Sequence, residues 1–267
     1  SLTLDLKRLS PNLDKRRSFE KYEIIFRDIL TTIQAQVVAT KRAEDLIMLG
    51  EYYRDYLELY GRSRFAAAMK LNRAEVLFQG GRYAEAGQLY SELAMVSGRK
   101  QKDLWLSSLE SFLKVITSPN ETLVDKVQSR SGYRQVAATY LKRYPQDQRR
   151  AGIEFNIART YYDEQNFDQA SKSLFSFLSR YPNQENSKSA ALLYLDCFYL
   201  RAQLDQMAKA GSNLLKISGL SNETKSAVRD ASNQAQMKAL RSIAGELTSP
   251  SYAMKFREFA RKNKNSQ

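Results

Sequence analysis

Two neighbouring carboxylate pairs, Glu44-Asp45 and Asp163-Glu164, are the side chains of this 267-residue chain whose type and spacing could serve acid–base chemistry. Both fall in stretches that read as helix or helix-ending turn, where carboxylates face solvent, so the expectation is charge on a surface and not catalysis. The chain has no histidine. That removes Ser-His and Cys-His nucleophile systems and imidazole-ligated metal sites, because the one residue that titrates near neutrality is missing. A lone Cys197 can form neither an internal disulfide nor a thiolate metal site, and within the apolar run "ALLYLDCFYL" it reads as a buried packing residue. The glycine-bearing stretch "QGGRYAEAG" lacks the Lys-Ser/Thr ending and the preceding strand of a phosphate loop. No catalytic residue, metal or cofactor is therefore expected.

Charge is the next property able to do work. Lys and Arg number 42 against 29 acids, a net charge of +13. The basic residues recur as Lys15-Arg16-Arg17, Lys142-Arg143 and Arg149-Arg150, and in a tail with Lys255, Arg257, Arg261, Lys262 and Lys264. Scattered in this way they read as a solvated face whose positive field suits an acidic partner or peripheral contact with an anionic surface. Sixteen Tyr beside many Arg also fit stacking on nucleic acid. Where the same aromatics pack between helices, that reading loses its support.

A hydrophobic content of 43% implies a packed core, and 11 Gly with 5 Pro are few turn formers for the length, which favours long helices with short connections. No apolar run approaches the ~18 residues of a membrane span. Ser1 opens the chain without a charged-then-apolar leader, so a mature or trimmed form is expected. The compartment stays open between envelope and cytoplasm.

One phrase recurs. "YLELYG" at Tyr56, "LAMVSG" at Leu93, "YLKRYP" at Tyr140, "FLSRYP" at Phe177 and "LLKISG" at Leu214 share an apolar head, Leu or Ala, two variable residues, Tyr or Ser, then Gly or Pro. Three of the four intervals are 37 residues; the second is 47, with about ten extra residues near "TSPNETLVDKVQ". Terminal Gly or Pro stops a helix, so each phrase is a helix's last turn. Between phrases the apolar residues have helical period: Ile153, Ile157, Ala158 and Tyr161 form one stripe, Phe167, Ala170, Leu174 and Phe177 another, with polar "DEQN" between. Two such helices bury too little alone, whereas stacked copies share a core.

The predicted organisation is an extension over residues 1–17, helix pairs over 18–219, and capping helices with a basic tail over 220–267. The pairs are Ser18–Ala39 with Lys41–Tyr60, Arg62–Gln79 with Tyr83–Val96, Lys102–Thr117 with Thr122–Arg143, Asp147–Glu164 with Phe167–Arg180, and Ser187–Arg201 with Asp205–Ile217. Asn222–Leu247 reads as a polar cap and Tyr252–Arg261 as a last helix.

Small and aromatic residues at Ala158, Tyr161, Phe167, Ala170 and Pro182, and again at Ala74, Leu77, Tyr83 and Ala86 with "GGRYAEA", resemble the tetratricopeptide repeat family, as do Phe198, Leu204 and Met207. The likeness spans roughly residues 41 to 219. Glu154 stands where the family carries a large aromatic; Trp105 fills that place in the third pair. The period of 37 and the "RYP" endings are similar to bacterial envelope members, of the Tol-Pal accessory and outer-membrane assembly lipoprotein types. The resemblance implies an all-α, right-handed α-solenoid of about five pairs, with the first helix of each pair lining a concave groove that binds a peptide or protein. Groove positions are then Leu71, Glu75 and Phe78; Phe155, Arg159, Tyr162 and Asp163; and Leu192, Asp196 and Tyr199. Phe155 and Arg159 replace the Lys and Asn with which chaperone-tail-binding members clamp a carboxylate, so that activity is not expected. The leading expectation is a non-enzymatic interaction scaffold. The alternatives are the helical superstructure of a cell-wall lytic enzyme, through a likeness to soluble lytic transglycosylases, and a basic nucleic-acid-binding solenoid.

Overall fold

All five repeated phrases end helices, and their heads, Tyr56, Leu93, Tyr140, Phe177 and Leu214, are all buried in the core. The computed structural model describes residues 15–96, 98, 101–244, 254 and 257–261. Of the expected extension over residues 1–17, residues 15–17 are helical and residues 1–14 lie outside the described residues, as do the end of the expected cap at 245–247, parts of the last expected helix, and Lys255, Lys262 and Lys264. Among those described, eleven helices and no strand are present: α1 (Lys15–Thr40), α2 (Ala43–Tyr60), α3 (Ala66–Gln79), α4 (Tyr83–Val96), α5 (Gln101–Thr117), α6 (Leu123–Arg143), α7 (Arg150–Asp163), α8 (Phe167–Arg180), α9 (Ser187–Tyr199), α10 (Leu204–Leu215) and α11 (Asn222–Ala244). The chain is all-α. A short helical stretch at 257–261 follows.

The connections repeat as well as the helices. After α3, α7 and α9 one residue adopts positive φ two places before the next helix: Gly81 (84°), Gln165 (59°) and Ala202 (57°). In each turn the following amide donates five residues back, Arg82 to Leu77, Asn166 to Tyr161 and Gln203 to Phe198, at 2.8–2.9 Å. This left-handed cap satisfies the last free carbonyls of the helix and reverses the chain. The third connection differs. The extra ten residues extend helices more than loop: α5 and α6 have 17 and 21 residues where α3 and α4 have 14 each. Thr122 starts α6 with a reciprocal cap, its hydroxyl accepting from the Asp125 amide at 3.1 Å while donating to the Asp125 carboxylate at 2.5 Å.

The chain divides between Arg143 and Tyr144 into two compact units, a boundary inside the stretch read from sequence as one array. In unit 1, α1 packs on α2, α2 on α3, and so on to α6, with α4 also against α6. Tyr53, Tyr56 and Tyr60 of α2 meet Leu30 and Val37 of α1 in one cluster. In unit 2 sequential packing is joined by contacts of α7 with α9 and of α9 with α11, so α9 has four helical neighbours. The core there gathers Phe155, Ala158, Ala170, Leu174, Phe177, Ala190, Leu195, Cys197, Leu214 and Val228. Ala158, Ala170, Ala190 and Ala191 have no exposed surface; small side chains are what allow backbones to approach this closely.

Candidate partner-binding cleft

Leu192, Asp196 and Tyr199 recur at four- and three-residue steps and so share one stripe of α9. Opposite them, α11 presents Ala231, Gln234, Ala235 and Lys238, while Leu195 of α9 and Met207 of α10 close the floor; together they line a cleft of about 460 Å³ within unit 2. The floor is apolar. Its polar groups are fixed by internal bonds. The Tyr162 hydroxyl, reaching from α7, donates to the Asp196 carboxylate, and the Tyr162 ring meets Phe167 edge-on at 5.7 Å. Burial, then the bond to Asp196, pushes the Tyr162 phenol well above its ordinary pKa. The Lys238 ammonium donates to the Tyr199 hydroxyl at 2.6 Å and sits 4.5 Å from that ring's centre. Asp196 is thus committed to a phenol inside the protein, and among the described residues Lys238 pairs with the neutral Tyr199 phenol and no carboxylate. An apolar side chain followed by an anion is the ligand such a cleft complements.

The predicted groove residues meet different fates. Leu192, Asp196 and Tyr199 line the cleft, with Tyr162 behind Asp196. Phe155 does not belong to a surface: it is 7% exposed and packs against Phe177 at 5.7 Å, because α7 turns this position toward α8. Arg159 is exposed, 4.0 Å from the Asp163 carboxylate, an i,i+4 pair worth little in water. On α3 in unit 1, Glu75 is exposed while Leu71 is half-buried. Phe78 packs edge-on against Tyr83 at 5.2 Å, with the Lys114 ammonium 5.5 Å from both rings, so it joins α3, α4 and α5 by packing. Lys238, Gln234 and Ala231 were not anticipated. Ala231, Ala235 and Lys238 at i, i+4 and i+7 are the signal that α11 has a face.

Glu154, at the place of the missing aromatic, is buried between two guanidinium groups, Arg150 at 2.8 Å and Arg180 at 2.6 Å, and so binds α7 to the end of α8. Cys197 is fully buried, and burial raises its thiol to about 12, so it remains a protonated packing residue. Glu44 and Asp45 sit in the first turn of α2 beside Arg42, at 3.8 and 3.5 Å. Among the described residues no cluster of three or more His, Cys, Asp or Glu could hold a metal ion, and no helix is long and apolar enough to cross a membrane. No family model and no curated protein matches the chain. Basic residues outnumber acids in both units, 24 to 17 over residues 1–143 and 18 to 12 over residues 144–267, so the surplus charge is not gathered in one of them.

Proposed function

We propose that the chain is a non-enzymatic scaffold that captures a segment of a protein partner in the α9–α11 cleft. The observation that carries this reading is the cleft itself, an apolar floor under a lysine that has no carboxylate partner among the described residues. The bound segment inserts a bulky apolar side chain against Leu192, Leu195 and Met207 and sets an acidic group beside Lys238. The finer architecture belongs to the same proposal: helix pairs α3–α4, α7–α8 and α9–α10 are tetratricopeptide-like units of a right-handed solenoid. Three left-handed turns of one kind support it, two of them 37 residues apart, at Gln165 and Ala202.

The test is a paired capture. The immobilised full chain and its Leu192→Asp/Lys238→Glu variant are exposed to the same extract, and retained proteins are identified by mass spectrometry. Both changes fall on exposed side chains, so the variant should melt like the parent. A protein retained by the parent and lost from the variant is the expected result. Identical retention by the two would overturn the assignment of the cleft. Retained nucleic acid, released steeply with rising salt, would favour the polyanion reading instead.

A further inference from the structure

The longest described helix, α1, packs substantially on α2 alone among the described helices. Leu30 and Val37 face that neighbour and are buried, with Phe26 and Ile33 half-buried beside them. Around the helix from this side, Tyr22, Ile25 and Ile29 are 47%, 44% and 50% exposed. Three large apolar side chains left in water over two turns form a patch of the kind that marks an interaction surface. Their spacing continues through the exposed Thr32 and Gln36 in steps of three and four, the a/d seam of a coiled coil. A seam of that period fits another helix.

We infer that the helix is α1 of a second copy of this chain, lying antiparallel. Charge selects both the occupant and its direction. Lys21 and Asp28 are exposed along one edge of the seam, one heptad apart. When Tyr22 lies against Ile25 of the second copy, an antiparallel pair brings Lys21 opposite Asp28 of the second copy, and the two-fold axis repeats the ion pair. The other edge brings Phe19, itself half exposed, toward Phe26 of the second copy. A parallel pair instead sets Lys21 against Phe26 and Asp28 against Ile33, leaving all four charges unmatched. An anionic bilayer would meet Lys21 and Asp28 of this edge together, gaining from one what it loses to the other, whereas a second copy matches both charges. The helix is therefore complementary to itself, as an isologous interface requires.

Sedimentation velocity of the full chain from about 1 to 100 μM tests this, over the range expected of a small interface. A dimer growing with concentration is expected. Ile25→Asp, at a half-exposed position, should leave the melting curve intact and weaken association at least a hundredfold. Lys21→Asp and Asp28→Lys each create like-charge contacts and should weaken association roughly tenfold, whereas the combined swap should return it to within about twofold of the parent. A monomer at every concentration overturns the proposal, whether or not it binds phosphatidylglycerol vesicles. So does a dimer indifferent to Ile25→Asp, or one that the combined swap does not restore.

Discussion

Unit 2 keeps the 37-residue period and unit 1 breaks it, and the helices that meet differ accordingly. In unit 2 the first helices of two successive pairs, α7 and α9, meet, α9 also meets the cap helix α11, and the cleft opens between α9 and α11. In unit 1 the additional next-neighbour contact joins second helices, α4 with α6, where α5 and α6 have grown to 17 and 21 residues. The repeated phrase fixes where a helix stops. The lengthened α5 and α6 accompany that change of neighbours in unit 1. Both units also use a phenol–carboxylate bond, for different joints: Tyr56 donates to Glu23 at 2.6 Å to tie α2 to α1, and Tyr162 donates to Asp196 to tie α7 to α9.

The largest effect should come from the equivalent phrase heads. Phe177→Ala and Tyr56→Ala each remove a fully buried ring and should each cost ~3–5 kcal/mol, read from urea denaturation. Comparable losses would make the phrase one structural device in both units. A loss under about 1 kcal/mol for either would break the equivalence.

The Glu23 carboxylate and the Tyr162 phenol should respond at opposite ends of the pH range, and Tyr56, pushed up to about 12 by burial and its bond to Glu23, should share the alkaline response. For Glu23, burial opposes ionisation but is outweighed by hydrogen bonds from Ser63 and Tyr56 and by Arg27, so its pKa is lowered. Its contribution is present above the ordinary carboxylate range and is lost as pH falls below it. Tyr162 behaves oppositely. Its raised phenol pKa leaves its contribution whole below the ordinary phenol value near 10 and erodes it as pH climbs from there. Tyr162→Phe should therefore cost about 1 kcal/mol at neutral pH, with the deficit shrinking at pH above 10. An undiminished deficit there would mean that the bond to Asp196 is not what the variant removes.

The smallest effects concern the shared turns. Gln165→Gly and Ala202→Gly relieve a side chain at positive φ and should each raise stability by roughly 0.5–1 kcal/mol. Gly81→Ala should lower it by a similar amount through backbone strain alone, since an added Cβ there meets no atom within 4 Å. Equal and opposite shifts would establish the three turns as one device across both units.

Much of the fold was legible because its signals are local. α8 spans Phe167–Arg180 as the apolar stripe and the "RYP" stop predict, and the alanines at 74, 86, 158 and 170 are buried where a small residue was expected. Helix starts were less legible. α7 begins at Arg150, not Asp147, because the Asp147 carboxylate accepts from the Arg149 amide at 2.8 Å and holds a turn there. The candidate site was legible in part. Leu192, Asp196 and Tyr199 follow from the period of α9, but Lys238 arrives from a helix whose polar composition reads as a cap, and the pairing of α9 with α11 is not written in either segment alone. Phe155 misled for the same reason: spacing placed it on a face, and tertiary packing turned that face inward.

The claim that unit 2 carries a cleft for an apolar-plus-acidic segment is tested most directly by panning a random peptide display library on the full chain, with counter-selection on Leu192→Asp/Lys238→Glu. Enrichment of peptides pairing a bulky apolar residue with a nearby acid, bound by the parent and not by the variant, is the expected result. Peptides without that pairing, or peptides held equally by both proteins, would contradict it.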